Sequence, residues 1–248
     1  MKPLTFRLCL GVAWVVSAVC CCVSVQAEEA ETSVTETFKV EKPAMVTRAE
    51  WGSDPLPIPD SRRHIPKYIT LHHAGVTWTA GSDPYEKVRN LQAWGKKPVA
   101  DGGKDWPDLP YHYLIAPDGT IFEGRPTEYE PETNTNYDVH GHIGIQLFGN
   151  FEAQRVSPQQ LASAVRLVAW LAQEFDVPDK WIRGHRDVAD NTDCPGRDFY
   201  RYIENGRLVD WVRQLRQGKT PAIEPGPALE GGPTEMIPLP DDGKEQDR

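Results

Sequence analysis

Hydrophobic and polar positions follow two different periods between about residue 45 and residue 218 of the chain. Short runs rich in β-branched and aromatic residues predict strands, and longer stretches with apolar residues three or four positions apart predict helices. The predicted strands are 68–73, 111–116, 120–123, 142–148 and 181–183, and the predicted helices are 84–95, 157–177 and 199–215. Strands that alternate with helices favour an α/β architecture. We therefore predict a single α/β domain whose mixed central β-sheet has four to six strands and is flanked by helices.

Several boundaries of these elements are marked by residues with special backbone preferences. Asp83-Pro84 and Ser157-Pro158 each place a good N-cap residue before a proline in the first turn of a helix. Pro117-Asp118-Gly119 predicts the turn of a β-hairpin. Asn205-Gly206 predicts an interruption of the last helix.

The first 27 residues differ in composition from the rest of the chain. Basic residues are followed by an apolar run and then by Val25-Gln26-Ala27, which has small residues at the positions expected before a cleavage site. This arrangement predicts a secretory signal peptide over residues 1–27, and hence export to the periplasm or to the outside of the cell. The alternative is an uncleaved membrane anchor, since the apolar run approaches the length that spans a bilayer.

Two further segments lack the periodicity of folded elements. Residues 28–44 are acidic and poor in large apolar side chains, and they predict a flexible leader. Residues 219–248 are rich in proline, glycine and acidic residues and predict a disordered tail. The folded domain is then predicted to span residues 45–218.

Charge and cysteine content narrow the functional class. The chain has 27 basic and 36 acidic side chains. Removal of the two basic residues in segment 1–27 leaves 25 against 36, a formal charge of −11, which argues against a nucleic-acid partner. Four of the five cysteines fall in segment 1–27, so that Cys194 is alone in the mature chain. A single exported thiol favours a metal-bound one over a disulfide, and we expect a monomer.

Residues 184–196 predict a metal-binding loop. His185 and Cys194 lie nine positions apart on a turn rich in Asp and Asn, and imidazole nitrogen and thiolate sulfur are both good zinc ligands. A third ligand is available from His72 or His73, at the end of a predicted strand, where neighbouring side chains point to opposite faces. Three protein ligands with one open position are typical of catalytic zinc. A closed, structural zinc site is the alternative if another side chain supplies a fourth ligand.

Separate segments, in a fixed order, carry a resemblance to a known family. They are Arg48-Ala49-Glu50-Trp51-Gly52, residues 69–73, residues 106–115 with Asp118-Gly119 and residues 122–125, residues 143–145 with Gly149-Asn150-Phe151, and the loop 185–194. Together they resemble the zinc-dependent N-acetylmuramoyl-L-alanine amidases of type 2, and most closely the peptidoglycan recognition protein branch. The resemblance covers nearly all of the predicted domain.

The resemblance implies specific roles for five residues. His72, His185 and Cys194 match the family's ligands to Zn²⁺, and Tyr111 and Thr192 match residues that lie near the reacting carbonyl. The implied activity is hydrolysis of the amide bond between N-acetylmuramic acid and L-alanine by metal-activated water, with peptidoglycan or a muropeptide as the partner. Members that only bind have typically lost the cysteine ligand, so its presence implies an enzyme.

The chain departs from the family pattern at two places. The loop that ends at Cys194 is one residue longer than the commonest form in the recognition branch, so Thr192 is placed by its distance from that cysteine. Some bacterial relatives carry a glutamate as general base where this chain has Gln146, and a neutral amide cannot accept a proton from water. Two alternatives stay open, namely a recognition module that binds peptidoglycan without cleaving it, and a zinc hydrolase of this fold that acts on another amide.

Overall fold

The computed structural model describes residues 38–240. The predicted signal over residues 1–27, residues 28–37 of the predicted leader, and residues 241–248 of the predicted tail lie outside the described residues. Within residues 38–240, five strands and four α-helices follow one another: β1 Tyr68–His73, α1 Pro84–Lys96, β2 Tyr113–Ile115, β3 Ile121–Glu123, β4 His142–Leu147, α2 Pro158–Glu174, β5 Ile182–Gly184, α3 Arg197–Glu204 and α4 Arg207–Arg216. Within the described part of the chain, none of these helices combines the length and apolar character needed to cross a bilayer.

The strands form one mixed sheet in the order β3-β2-β4-β1-β5. β1 pairs in parallel with β4 on one side and with β5 on the other, β2 is parallel to β4, and β3 returns antiparallel to β2. The prediction of an α/β domain with a mixed sheet of four to six strands is confirmed.

Helix α2 covers one face of this sheet because its apolar stripe matches the apolar residues of the strands. Trp170 of α2 packs edge-on against Tyr113, which is paired in register with Ile145. Helix α4 packs behind α2, and α3 packs beside β5. The predicted break at Asn205-Gly206 is confirmed, since Gly206 has a φ of 76° and separates α3 from α4.

The opposite face of the sheet carries Thr70 and His72 of β1 and Gly144 and Gln146 of β4. We call this surface the site face. Side chains alternate between the two faces of a strand, so these residues point away from α2. In parallel strands the carboxyl ends meet at one edge, where open α/β sheets usually bind their ligands. His72 lies at that edge.

The structure differs from the sequence prediction at the ends of the domain. Val40, in the predicted flexible leader, is buried, and its N–H donates to Oε1 of Gln173 at 2.7 Å. Residues 219–240 of the predicted disordered tail lie against the domain: Ile237 is 2% exposed, and its N–H donates to the carbonyl of Arg155 at 2.9 Å. Composition alone missed these contacts because single apolar side chains within a polar segment carry no periodicity.

The buried position of Ile237 leads to a test. We expect Ile237→Ala to lower the free energy of unfolding by about 2 kcal/mol, because it removes a buried side chain that packs against Gly149. Chemical denaturation measures this change. The control is Leu239→Ala, which truncates a side chain that is 43% exposed and should change stability by less than about 0.5 kcal/mol. Equal stabilities of the two variants would contradict a packed tail.

Candidate functional site

The register between β1 and β5 brings together the first two residues of the candidate site. Leu71 is paired with Gly184, so the next residues on the two strands, His72 and His185, lie side by side. Their ring centroids are 4.4 Å apart, and both side chains are buried. Glycine suits position 184 because a Cβ there would lie 3.0 Å from Pro195 and Tyr200, a tight contact. The pairing of two distant segments thus brings two imidazoles together.

Cys194 completes a cluster of three potential metal ligands. Its Sγ lies 3.7 Å from Nδ1 of His72, and the ligand atoms of His72, His185 and Cys194 all lie within 4.8 Å of one another. His73 points elsewhere, and its Nδ1 accepts a hydrogen bond from the N–H of Phe151 at 3.2 Å. Of the two histidines that the sequence offered as third ligand, the structure brings His72 into the cluster.

Backbone groups hold the cysteine in place. The N–H of His73 donates to the Sγ of Cys194 at 3.4 Å, and the N–H of Arg186 donates to the carbonyl of Cys194 at 2.9 Å. Asp187 fastens the start of the loop, since its carboxylate accepts from the N–H of Gly184 at 2.8 Å and from the hydroxyl of Tyr200 at 2.5 Å. These bonds close the loop on itself with the thiol turned towards the histidines.

Burial sets the protonation state of the cluster. Desolvation lowers the pKa of His72 well below its usual value, and it lowers the pKa of His185 to about 4. Desolvation also raises the pKa of the Cys194 thiol to about 12, although the N–H of His73 and the charge of Arg186 act in the opposite direction. At neutral pH both imidazoles are therefore neutral and can offer a lone pair to a cation. The thiol keeps its proton until a cation displaces it.

Thr135 fixes the orientation of His185, a contact that the sequence analysis missed. Its Oγ1 lies 2.7 Å from Nε2 of His185 and 2.9 Å from Oγ1 of Thr133. A neutral imidazole carries one proton, and in the tautomer that holds it on Nε2, this nitrogen donates to Thr135 while Nδ1 keeps its lone pair. Thr135 lies on an irregular loop in which no periodicity or motif marks it as functional.

Tyr111 and Thr192, predicted from the sequence to be catalytic, contact different members of the cluster. The ring of Tyr111 packs 5.1 Å from that of His72 and contacts the space above Gly144. Burial, followed by the charge of Cys194, raises the pKa of Tyr111, so its hydroxyl stays protonated. Thr192 belongs to the cysteine loop, where its Oγ1 accepts from the N–H of Cys194 at 3.2 Å. Its hydroxyl hydrogen is not used in that bond.

A second tyrosine, also missed, packs between His185 and His142. The ring of Tyr137 lies 5.4 Å from that of His185 and 5.3 Å from that of His142. Beyond His142, a cavity of about 280 Å³ opens on the site face, lined in part by Tyr68, Thr70 and Arg183. None of the three cluster residues is among those that line this cavity, which lies towards the start of β1 and β4.

Comparisons with known proteins agree on one family. The model of the N-acetylmuramoyl-L-alanine amidase family (Amidase_2) matches residues 61–197. The peptidoglycan-recognition protein SD of Drosophila simulans is 30% identical over 175 residues, which cover 69% of this chain and 89% of that protein.

Two solved structures place the fold among the same proteins. The N-acetylmuramoyl-L-alanine amidase LysC from Clostridium intestinale matches with a TM-score of 0.52 and 25% identity, over 68% of this chain and 99% of that one. A mutant of Drosophila PGRP-LB in complex with tracheal cytotoxin matches with a TM-score of 0.54 and 25% identity, over 64% of this chain and 92% of that one. The chain therefore belongs to the N-acetylmuramoyl-L-alanine amidase family, in the group that includes the peptidoglycan recognition proteins.

Proposed function

We propose that this protein is a zinc-dependent amidase that hydrolyses the bond between N-acetylmuramic acid and L-alanine in peptidoglycan. The observation that carries the proposal is the buried cluster of His72, His185 and Cys194. Membership of the amidase family supports the reaction class. The complex of PGRP-LB with tracheal cytotoxin supports a peptidoglycan-derived ligand.

The donor set fits zinc. Two neutral imidazoles and one thiolate match the preference of Zn²⁺ for nitrogen and sulfur ligands, and three donors leave one position for water or substrate. The separation of Sγ and Nδ1, 3.7 Å, agrees with two ligands on one ion at the usual Zn–S and Zn–N bond lengths of about 2.3 and 2.0 Å. Bound zinc would activate water as the nucleophile and polarise the carbonyl of the substrate.

Residues of the chain supply the remaining chemistry. Tyr111 stays protonated at neutral pH, so its hydroxyl is a hydrogen-bond donor for the oxygen that gains charge as the amide is attacked. Thr192 can donate from its hydroxyl in the same way, since its oxygen and not its hydrogen is used by Cys194. One such donor lowers the barrier by roughly 3 to 4 kcal/mol in other amide-cleaving enzymes.

Recognition without cleavage is the alternative. The similar Drosophila simulans protein is named for recognition, and the site face would bind the same ligand in either case. The presence of all three metal ligands favours an enzyme over a recognition module, because binding of peptidoglycan alone requires no metal ligand. The substrate lies outside the cytoplasmic membrane, so the proposal also includes export, which residues 1–27 predict.

Cleavage of peptidoglycan by the purified, zinc-loaded protein is the decisive test. We expect mass spectrometry to find glycan and stem peptide separated at the lactyl–alanine bond. Cys194→Ala or chelation should abolish this product, because the substitution removes a metal ligand and chelation removes the metal. The matched control is His140→Ala, which removes an exposed histidine outside the cluster and should retain wild-type activity. If the wild-type protein binds zinc and peptidoglycan but releases no product, the amidase proposal is contradicted. The protein would then be a recognition module.

Zinc affinity should increase with pH in a way that reports on Cys194. The thiol, with its pKa raised to about 12, must lose its proton when zinc binds, whereas His185, with a pKa of about 4, is already neutral above pH 5. We therefore expect the association constant to rise about tenfold per pH unit between pH 5.5 and 7. Competition with a chelator measures the constant, and calorimetry in buffers of different ionisation enthalpy should find about one proton released per zinc. Release of two or more protons in this range would contradict buried, neutral histidines.

Substitution of Thr135 should weaken zinc binding without unfolding the protein. Thr135→Val keeps the shape of the side chain but loses the hydroxyl that is hydrogen-bonded to His185, so we expect zinc affinity to fall about 10- to 100-fold. Thr135→Ser keeps the hydroxyl and should stay within about threefold of wild type. If both variants bind zinc like the wild type, the orientation of His185 does not depend on this hydrogen bond.

A further inference from the structure

Gln146 lies on the site face, beside the metal-ligand cluster. It is paired in register with His72 across the β1–β4 ladder, so the two side chains share a face. Two residues earlier on the same face, the space above Gly144 is occupied by the ring of Tyr111, which also contacts His72. Gln146 is 5% exposed, so its side chain is buried on the face that holds His72 and Tyr111.

The side-chain carbonyl oxygen of Gln146 is buried on the site face without a protein partner. Its Oε1 is shielded from solvent and accepts no hydrogen bond from any described residue. Gln154 gives the contrast. It is buried to a similar degree, but its Oε1 accepts from the N–H of Trp78 at 2.9 Å and its Nε2 donates to the carbonyl of Trp78 at 2.8 Å. Buried polar groups are nearly always paired, so this oxygen is open to a partner that the described residues do not supply. Oε1 of Gln160 is also unpaired among the described residues, but it lies on α2, whereas Gln146 lies beside the candidate site.

We propose that Gln146 is a substrate-contacting residue whose side-chain amide pairs with an amide group of the bound muramyl peptide. This inference rests on the proposed function for the identity of the ligand. A side-chain amide offers an acceptor and two donors and carries no charge, so its natural complement, whichever way it is turned, is another amide. Muramyl peptides carry amides in the N-acetyl group, in the lactyl–alanine link and in the peptide stem. The pairing of Gln154 with the backbone of Trp78 is an example of the same complementarity within this protein.

Thermal unfolding tests whether the amide is unpaired in the free protein. Gln146→Leu replaces the amide with an apolar group of similar size. We expect its Tm to rise by about 2 to 4 °C, because an unsatisfied buried polar atom is removed. The matched control, Gln154→Leu, should lower the Tm, because it leaves the N–H and the carbonyl of Trp78 without partners. A fall in the Tm of Gln146→Leu, like that of the control, would overturn the proposal, since it would mean that water or a protein group already satisfies the amide.

Binding of a defined ligand tests the second half of the proposal. With N-acetylmuramoyl-L-alanyl-D-isoglutamine and the zinc-loaded protein, we expect Gln146→Leu to raise KM about tenfold, with kcat changed less than about threefold and zinc affinity unchanged. If the wild type binds this ligand without cleaving it, the Kd from calorimetry replaces KM, and the same tenfold loss is expected. That result would contradict the proposed amidase but support the role of Gln146. A KM or Kd equal to that of the wild type, or a wild type that does not bind the ligand, would overturn the assignment.

Discussion

The parallel pairing of β1 with β4 and β5 is the constraint on which the site depends. It sets His72 beside His185 and, on the other side, beside Gln146. Because side chains alternate along a strand, a slip of one residue in β1 would turn His72 away from the site and bring His73 in its place. The ladder therefore specifies which histidine joins the cluster, and it does so through backbone hydrogen bonds that are buried and costly to break.

Segments distant in sequence hold the loop of Cys194 and the end of β1 at His73. The loop that carries Cys194 is closed by the backbone of Arg186 and tied to α3 through Asp187 and Tyr200. The segment after β4, which contacts His73, is covered by the C-terminal residues around Ile237. Burial of the cluster is the reason that the imidazoles are neutral and the thiol protonated before a cation binds.

Several buried polar side chains elsewhere in the interior bond to the backbone. Arg125 is 1% exposed, but it donates to the carbonyls of Leu109 and Glu130. Gln160 is fully buried, and its Nε2 donates to two backbone carbonyls at the ends of β2 and β4, although its Oε1, like that of Gln146, accepts no hydrogen bond from the described residues. The two oxygens differ in position, since that of Gln160 lies on α2 and that of Gln146 lies on the site face beside His72. A protein that leaves a polar group unpaired at its binding site gives up stability there and regains it when a complementary ligand arrives.

The sequence by itself determined what depends on local pattern. Hydrophobic periodicity and capping residues predicted the elements and the break at Asn205-Gly206, because these features act over a few residues. The spacing of His185 and Cys194 and the order of the family segments predicted the chemistry. The tertiary structure alone decided what depends on contacts between distant segments. It brought Thr135 to His185, left the side-chain oxygen of Gln146 without a protein partner, and packed Ile237 against the domain. Such contacts join residues that no periodicity relates, so only the folded chain reveals them.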